Sequence, residues 1–205
     1  MMAKTVDMFR SPSLLERLKR DASESFGLPN DIGAFVRVLA ASKVGAIAMQ
    51  LGIGNSEVAA WLLDGMDITS RLIMLIEPEV MPAQVGIDQN EDIRVAIHCQ
   101  TAMEFMEDIK AHRFHLIVYD TLPSSNEELA TAIGLLDEGG IVILLNSGPE
   151  IRWTDVLTWL SSDRRMHSVN VMNMGKVIFS VRRPHQMKTI RRGARRARIK
   201  RAQQQ

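Results

Sequence analysis

Two glycines one residue apart, Gly52 and Gly54, follow directly on a short apolar run at residues 46–51. A second apolar run at 115–119 ends at Asp120, and a third at 72–76 ends at Glu77. Glycines at a strand end allow a tight turn and let backbone N–H groups approach a ligand, which suits phosphate-like or nucleotide-like groups. The pair alone fits a nucleotide-type site and a plain turn equally. Asp120 can hydrogen-bond a ligand or cap its strand. The remaining reactive side chains point to less. His98, His112, His115, His167 and His185 lack the spacing of metal ligands, and Cys99 reads as a small buried residue rather than a nucleophile. Tyr119 reads as packed, and Met103 and Met106 as core.

Several elements must hold these residues in place. After the glycines, Val58, Trp61 and Leu62 recur at helical spacing over residues 56–63, so the unit reads strand, glycine turn, helix. Residues 94–98 form a weaker strand, followed by a helix at 102–109. A polar loop at 123–126 caps a helix running to about 136, which Gly139 and Gly140 end before a fifth strand at 141–145. Residues 153–160 are helical. Residues 166–172 and 176–181 flank Asn173-Met-Gly175, a hairpin turn between antiparallel strands. Helices alternating with nearly continuous apolar strands imply a parallel sheet covered on both faces. In such a sheet ligands bind at the carboxyl ends of the strands, where strand order reverses. The ends to watch are therefore residues 50–56, Glu77, residues 100–102 and Asp120.

The chain has 205 residues, 46% hydrophobic and 24% charged, which bounds it to one globular domain with an appendage. A single cysteine excludes an intramolecular disulfide and a Cys-rich zinc module. The longest apolar stretches fall far short of the ~20 residues of a membrane helix, and residues 1–13 lack the apolar core of a secretory signal. The expectation is a cytoplasmic protein with no membrane contact. The net charge of +1 conceals an asymmetry: residues 182–205 hold ten of the 25 Lys and Arg and none of the 24 acids. That leaves 15 cations against 24 acids in residues 1–181. The organisation expected is a body at 1–181, with N-terminal helices over about 1–43, and a basic, disordered tail at 182–205.

Ala48-Met-Gln-Leu-Gly-Ile-Gly54, Leu72-Ile-Met-Leu-Ile-Glu-Pro-Glu79, Phe114-His-Leu-Ile-Val-Tyr-Asp120 and Leu135-Leu-Asp-Glu-Gly-Gly-Ile-Val-Ile143 stand in a characteristic order and spacing. In these segments the chain resembles class I S-adenosylmethionine-dependent methyltransferases, in particular small actinobacterial O-methyltransferases related to catechol O-methyltransferase. Trp61-Leu-Leu-Asp-Gly-Met66 followed by Glu77-Pro-Glu79 resembles that branch in detail. The resemblance implies an α/β, Rossmann-like seven-stranded methyltransferase sheet with helices on both faces and an antiparallel C-terminal hairpin. It implies S-adenosylmethionine as cofactor, with Gln50, Gly52, Ile53, Gly54, Glu77, Ala102 and Asp120 as cofactor-binding residues. Asp120 is the catalytic candidate. It further implies a homodimer and a small-molecule acceptor.

The chemistry departs from that pattern at several positions. Members carry an acid two residues before the first glycine, where this chain has Gln50. The ribose-binding acid at the end of the second strand aligns with Leu75, with Glu77 in the same side-chain phase two residues on. Val58 stands where a cofactor-contacting Ser is usual, and Pro123 where a Lys base is. Of the metal ligands of the metal-dependent members, Asp120 and Asn146 match while Leu145 replaces a carboxylate, so no metal is expected. Two readings follow. One is a methyltransferase that O-methylates an acceptor without a metal. The other is a catalytically impaired methyltransferase-like binding protein acting through its basic tail on RNA or a protein partner. Lys188, Arg191, Arg192, Arg195 and Arg196 are the nucleic-acid candidates; with no aromatic residue among them, contact would be to phosphates. A solvated tail is the alternative.

Overall fold

The computed structural model describes residues 10–21, 27–78, 87, 92–145, 150–171 and 177–184. Seven strands form one sheet: β1 (Ile47–Leu51), β2 (Arg71–Ile76), β3 (Val95–Cys99), β4 (Phe114–Tyr119), β5 (Leu136–Leu145), β6 (Met166–Asn170) and β7 (Val177–Arg182). Their order is β3-β2-β1-β4-β5-β7-β6. The pairings from β3 across to β5 are parallel, and β7 lies antiparallel between β5 and β6. This is the expected sheet, including its reversed last strand. The chain runs outward from β1 to β3, then returns to the middle as β4. The strand order therefore reverses between β1 and β4, the two strands that carry the glycines and Asp120.

Among the described residues six helices cover the sheet: α1 (Ser13–Asp21), α2 (Asn30–Ala41), α3 (Ser56–Gly65), α4 (Ala102–Asp108), α5 (Asn126–Leu135) and α6 (Glu150–Ser162). Alternate residues of each central strand face opposite sides. Leu72, Met74 and Ile76 of β2 pack with Leu15, Val36 and Trp61 from α1, α2 and α3. Leu75 faces the other way, into a cluster with Met106, Leu129 and Trp153 from α4, α5 and α6. Helix starts follow local chemistry. Asn55, Thr101 and Ser125 each accept a backbone N–H of the first turn, capping α3, α4 and α5.

Helices α2 and α3 approach closely because glycines face their partners. A Cβ on Gly33 would lie 2.2 Å from the Trp61 indole, and one on Gly65 would lie 2.2 Å from the Arg37 carbonyl oxygen. Arg37 in turn lays its guanidinium 5.1 Å over the Trp61 ring, a cation–π contact.

Two sequence expectations are corrected here. Helix α5 stops at Leu135, and Gly139 and Gly140 lie inside β5, where the register with β4 shifts between Phe114 and Leu116. Gly139 takes φ +72°, and a Cβ on Gly140 would crowd the Asp137 and Phe114 carbonyls, so the pair makes a bulge rather than a helix stop. Cys99 is exposed, because β3 is an edge strand whose far end is covered by nothing described. Arg182 ends β7, and its Nη1 donates to the carbonyls of Ile133, Gly134 and Leu136 at the end of α5. The hairpin turn at Asn173-Met-Gly175 and the tail from His185 onward lie outside the described residues, as do Glu79 and Asn146.

Replacing Gly33 with Ala tests the packing of α2 on α3. The new methyl would be driven into a fully buried indole, so Gly33→Ala is expected to cost about 1–3 kcal/mol, read as a lowered thermal midpoint. A midpoint unchanged or raised would contradict the close approach.

Candidate functional site

Strand β1 ends at Leu51 and the chain turns through Gly52, Ile53 and Gly54 into Asn55, the cap of α3. Gly52 adopts φ +127° and Gly54 φ +75°, conformations that disfavour any residue with a Cβ. Across the switch point, Asp120 follows β4, its backbone N–H donating to the Leu51 carbonyl. Its side chain turns into the glycine loop. Oδ1 accepts the Ile53 N–H at 2.9 Å, and Oδ2 accepts the Asn55 N–H at 2.6 Å and the Gln50 Nε2 at 2.7 Å. A Cβ on Gly52 would lie 2.2 Å from Asp120 Oδ1, so glycine is required there by close approach as well as by φ.

Asp120 is only 4% exposed. Burial pushes its carboxyl above the usual range, while bonds from Gln50 and from the N–H groups of Asn55, Ile53 and Gly54 pull it back. Gln50 is fully buried, and its amide is oriented by its neighbours. Nε2 donates to Asp120 and to the Asn55 carbonyl at 2.9 Å, leaving Oε1 buried with no donor among the described residues. An amide thus stands where the family resemblance places an acid, directly against a carboxylate.

The other candidates share this edge of the sheet. Glu77 is exposed, one residue beyond β2, and Ala102 is half-buried at the first turn of α4. Thr101 caps α4 there: its Oγ1 accepts the Glu104 N–H and donates to Glu104 Oε2 at 2.7 Å. Ile53 is 54% exposed at the top of the loop. Leu75 is 2% exposed within the apolar cluster of β2, α4 and α5, so a carboxylate introduced at that position would be buried among apolar side chains. Lys188, Arg191, Arg192, Arg195 and Arg196 fall outside the described residues.

Two residues of the site escaped the sequence reading. Asn55 caps α3 through its side chain and ties the loop to Asp120 through its N–H; an Asn just ahead of a helical pattern was the available signal. Glu57 is 1% exposed, accepts the Leu28 N–H at 2.8 Å, and so fastens the segment before α2 to the start of α3. Burial raises its carboxyl above the usual range, against the pull of the Leu28 and Gly27 N–H groups and of Lys19. Nothing in the sequence spacing links residues 28 and 57.

Tyr119 is 1% exposed, and burial raises its hydroxyl well above the ordinary value with Glu128 adding to the effect, so it is a packed side chain. Both Asp120 oxygens are directed into the loop and accept its donors, and Leu145 is buried in the core. A cleft of about 590 Å³ lies between α1, α2 and α3, lined by Arg10, Glu16, Arg37 and Asp64; none of its lining residues belongs to the glycine loop.

No protein-family model and no curated protein matches the chain. Solved structures do resemble it in fold. A methyltransferase from Geobacter sulfurreducens superposes with a TM-score of 0.61 at 16% identity, covering 90% of this chain and 92% of its own. An O-methyltransferase from Bacillus cereus in complex with SAH gives 0.63 at 16% identity, covering 83% and 89%. The O-methyltransferase TomG from Streptomyces achromogenes, in complex with SAM, gives 0.63 at 14% identity, covering 85% and 92%. The chain has the Rossmann-like fold of class I methyltransferases.

The Gln50–Asp120 contact is open to test by acidity. Gln50→Glu would set a second carboxylate about 2.7 Å from Asp120 Oδ2, in a site where the pair shares one proton. The proton-bound pair has a raised pKa in the folded state. Its stability is therefore present at low pH and lost as pH rises through that value. The deficit in melting temperature of Gln50→Glu against the parent is expected to be larger at pH 8 than at pH 5. A deficit independent of pH would show that the two side chains do not face each other.

Proposed function

We propose that the chain binds S-adenosylmethionine at the carboxyl edge of the sheet and transfers its methyl group to a small acceptor without a metal ion. The observation that carries this reading is the glycine loop. At the point of strand reversal, Gly52 and Gly54 hold left-handed conformations and Asp120 locks the loop from beneath. That is a prepared surface for a ligand, and Gln50 Oε1 below it is a buried acceptor that a ligand donor or an ordered water would satisfy. The neighbours bound to SAH and SAM support the choice of cofactor.

In this reading Gly52, Ile53 and Gly54 with the backbone at Gln50 receive the cofactor, Glu77 reaches its ribose, and Ala102 neighbours its adenine. Methyl transfer from a sulfonium is an in-line displacement, so aligning acceptor and methyl supplies much of the rate. Asp120 contributes by fixing the loop, as a positioning residue, since its oxygens already accept from Gln50, Ile53 and Asn55. A hydroxyl acceptor also has to lose its proton. Pro123 in the usual Lys position favours an acceptor that ionises readily, or one whose proton passes to solvent. The body at 1–181 is the binding unit, and the basic tail is an appendage to it.

A second reading rests on Leu75. With an apolar residue buried where the ribose acid is expected, the body would be a methyltransferase-like scaffold that acts by binding alone.

Titration calorimetry with S-adenosylmethionine and S-adenosylhomocysteine separates the two. Binding is expected for the parent, loss of binding for Gly52→Val, and roughly tenfold weaker binding for Glu77→Ala, as for removal of one charged hydrogen bond. Leu75→Glu is expected to lower the melting temperature without tightening the cofactor. Absence of binding by the parent would overturn the proposal and leave the scaffold. Binding without methyl transfer to any of a panel of small hydroxyl acceptors would leave the cofactor site standing and remove the enzyme.

A further inference from the structure

The candidate cofactor residues divide the carboxyl edge of the sheet. Gly52, Ile53 and Gly54 follow β1, Glu77 follows β2, and Ala102 opens the helix after β3. In the strand order these occupy one half of the edge, which leaves the ends of β4 and β5 for an acceptor. Two helices start on that half, α5 after β4 and α6 after β5. Their apolar sides share one cluster, with Leu129 and Ile133 from α5 and Trp153, Val156 and Leu160 from α6. That packing brings Arg152, in the first turn of α6, against the loop that leads from Asp120 to α5. Its Nη2 donates to the Pro123 carbonyl.

On this half of the edge Arg152 is the one cation among the described residues. It is exposed, and among those residues it has no acidic partner. Arg37, Arg94 and Arg165, by contrast, pair with Asp64, Asp92 and Asp163. The Pro123 carbonyl takes one N–H of the guanidinium and leaves the rest of the fork for an oxygen anion. Acids stand on the same edge. Glu127 is exposed in the first turn of α5 and Asp155 one turn along α6, while Glu77 and Glu104 are exposed on the other half. Asp31, half-buried at the start of α2, accepts the Ile32 N–H at 2.9 Å. None of these five holds Arg152.

The groups held at the end of β4 are already committed. Asp120 accepts from Ile53, Asn55 and Gln50. Glu128 accepts the Ser124 N–H at 3.0 Å and the Ser124 hydroxyl. Tyr119 is enclosed, and burial raises its hydroxyl. His98 stacks on Phe105, ring centroids 4.9 Å apart, and lies on β3, three strands from β4. At about 4.8 Å per strand that is roughly 14 Å away. We infer, on the reading that the chain transfers a methyl group, that the acceptor is an acidic phenol or enol that arrives already ionised, and that Arg152 holds its oxygen anion. A lone pair of that oxygen attacks the methyl carbon, the carbon–sulfur bond breaks, and its electron pair stays on sulfur, leaving a neutral thioether. No proton moves, so the protein needs no base. A carboxylate is ionised as well, but a guanidinium fork engages both of its oxygens. The single oxygen of a phenolate, held from one side, keeps lone pairs for attack.

The test is methyl transfer by the full chain from radiolabelled S-adenosylmethionine to hydroxyl compounds graded in acidity: a nitrophenol, phenol and benzyl alcohol, each followed over pH. The nitrophenol is expected to be the best acceptor. The rate should rise with pH through the acceptor's own ionisation, so that the rise moves from one phenol to the next. Arg152→Gln should raise KM for the nitrophenol roughly ten- to a hundredfold, as for loss of one charged hydrogen bond, with Arg152→Lys recovering part of it. Cofactor affinity by calorimetry should be the same in both variants as in the parent. Transfer to benzyl alcohol as fast as to the nitrophenol would overturn the inference. So would a pH limb that stays in place across the series, which marks a base on the protein, or a KM indifferent to Arg152→Gln. Cofactor affinity lost together with activity in both variants would make Arg152 structural and overturn it too, as would transfer to carboxylic acids alone, seen as label released by alkali. Absence of cofactor binding by the parent would overturn this inference together with the reading it rests on; the other failures leave cofactor binding intact.

Discussion

The carboxylate of Asp120 is the point on which the rest of the site depends. It is buried, and the backbone N–H groups of Ile53 and Asn55 converge on it together with the amide of Gln50. A carboxylate in so enclosed a place is tolerable only with donors on both oxygens, and the donors available are those of a loop that has to curl back on itself. That curl sets the φ angles of Gly52 and Gly54, and the proximity of Oδ1 removes any room for a side chain at Gly52. The same geometry explains Gln50. With Asp120 charged and 2.7 Å away, an acid at position 50 would add like charge to a buried pair, whereas an amide donates a bond to the charge already there. An amide at position 50 thus suits the direction Asp120 faces.

The loop is held on its other side by helix starts. Asn55 caps α3 and donates its N–H to Asp120, and Glu57, in the first turn, accepts the Leu28 N–H. The N-terminal helices are thereby fastened to the start of α3 by a hydrogen bond and to its body by packing at Gly33 and Gly65. Two buried carboxyls, Asp120 and Glu57, are both raised by burial and both bound by backbone donors. The carboxyl edge of this sheet is therefore rigid where β1 meets β4, and its fixed partial charges are already in place before any ligand arrives.

Much of this was legible in the sequence, and the limits have physical causes. Strands buried on both faces read as continuous apolar runs, so β1, β2, β4 and β5 were visible, and the antiparallel β7 was signalled by the turn residues Asn173-Met-Gly175 as well as by the family resemblance. The glycines and Asp120 were visible as residue types at strand ends. That Asp120 faces inward was not, because it depends on a contact spanning 65 to 70 positions with partners that are mostly backbone. The bulge at Gly139 was mistaken for a helix end because glycine serves both purposes. Cys99 was placed in the interior because strand order, which leaves β3 at the margin, is a property of the whole sheet. Leu75 could be aligned to an acid's position, but only the fold shows that the position lies in an apolar cluster.

The direction of β7 fixes where the chain leaves the sheet. Being antiparallel, β7 ends beside Arg164, Arg165 and Arg183, with the whole length of β5 and β7 between that corner and Asp120. A parallel last strand would have ended beside the glycine loop instead. What surrounds the loop is therefore set by β1, β2, β3 and β4 and by the helix starts that follow them.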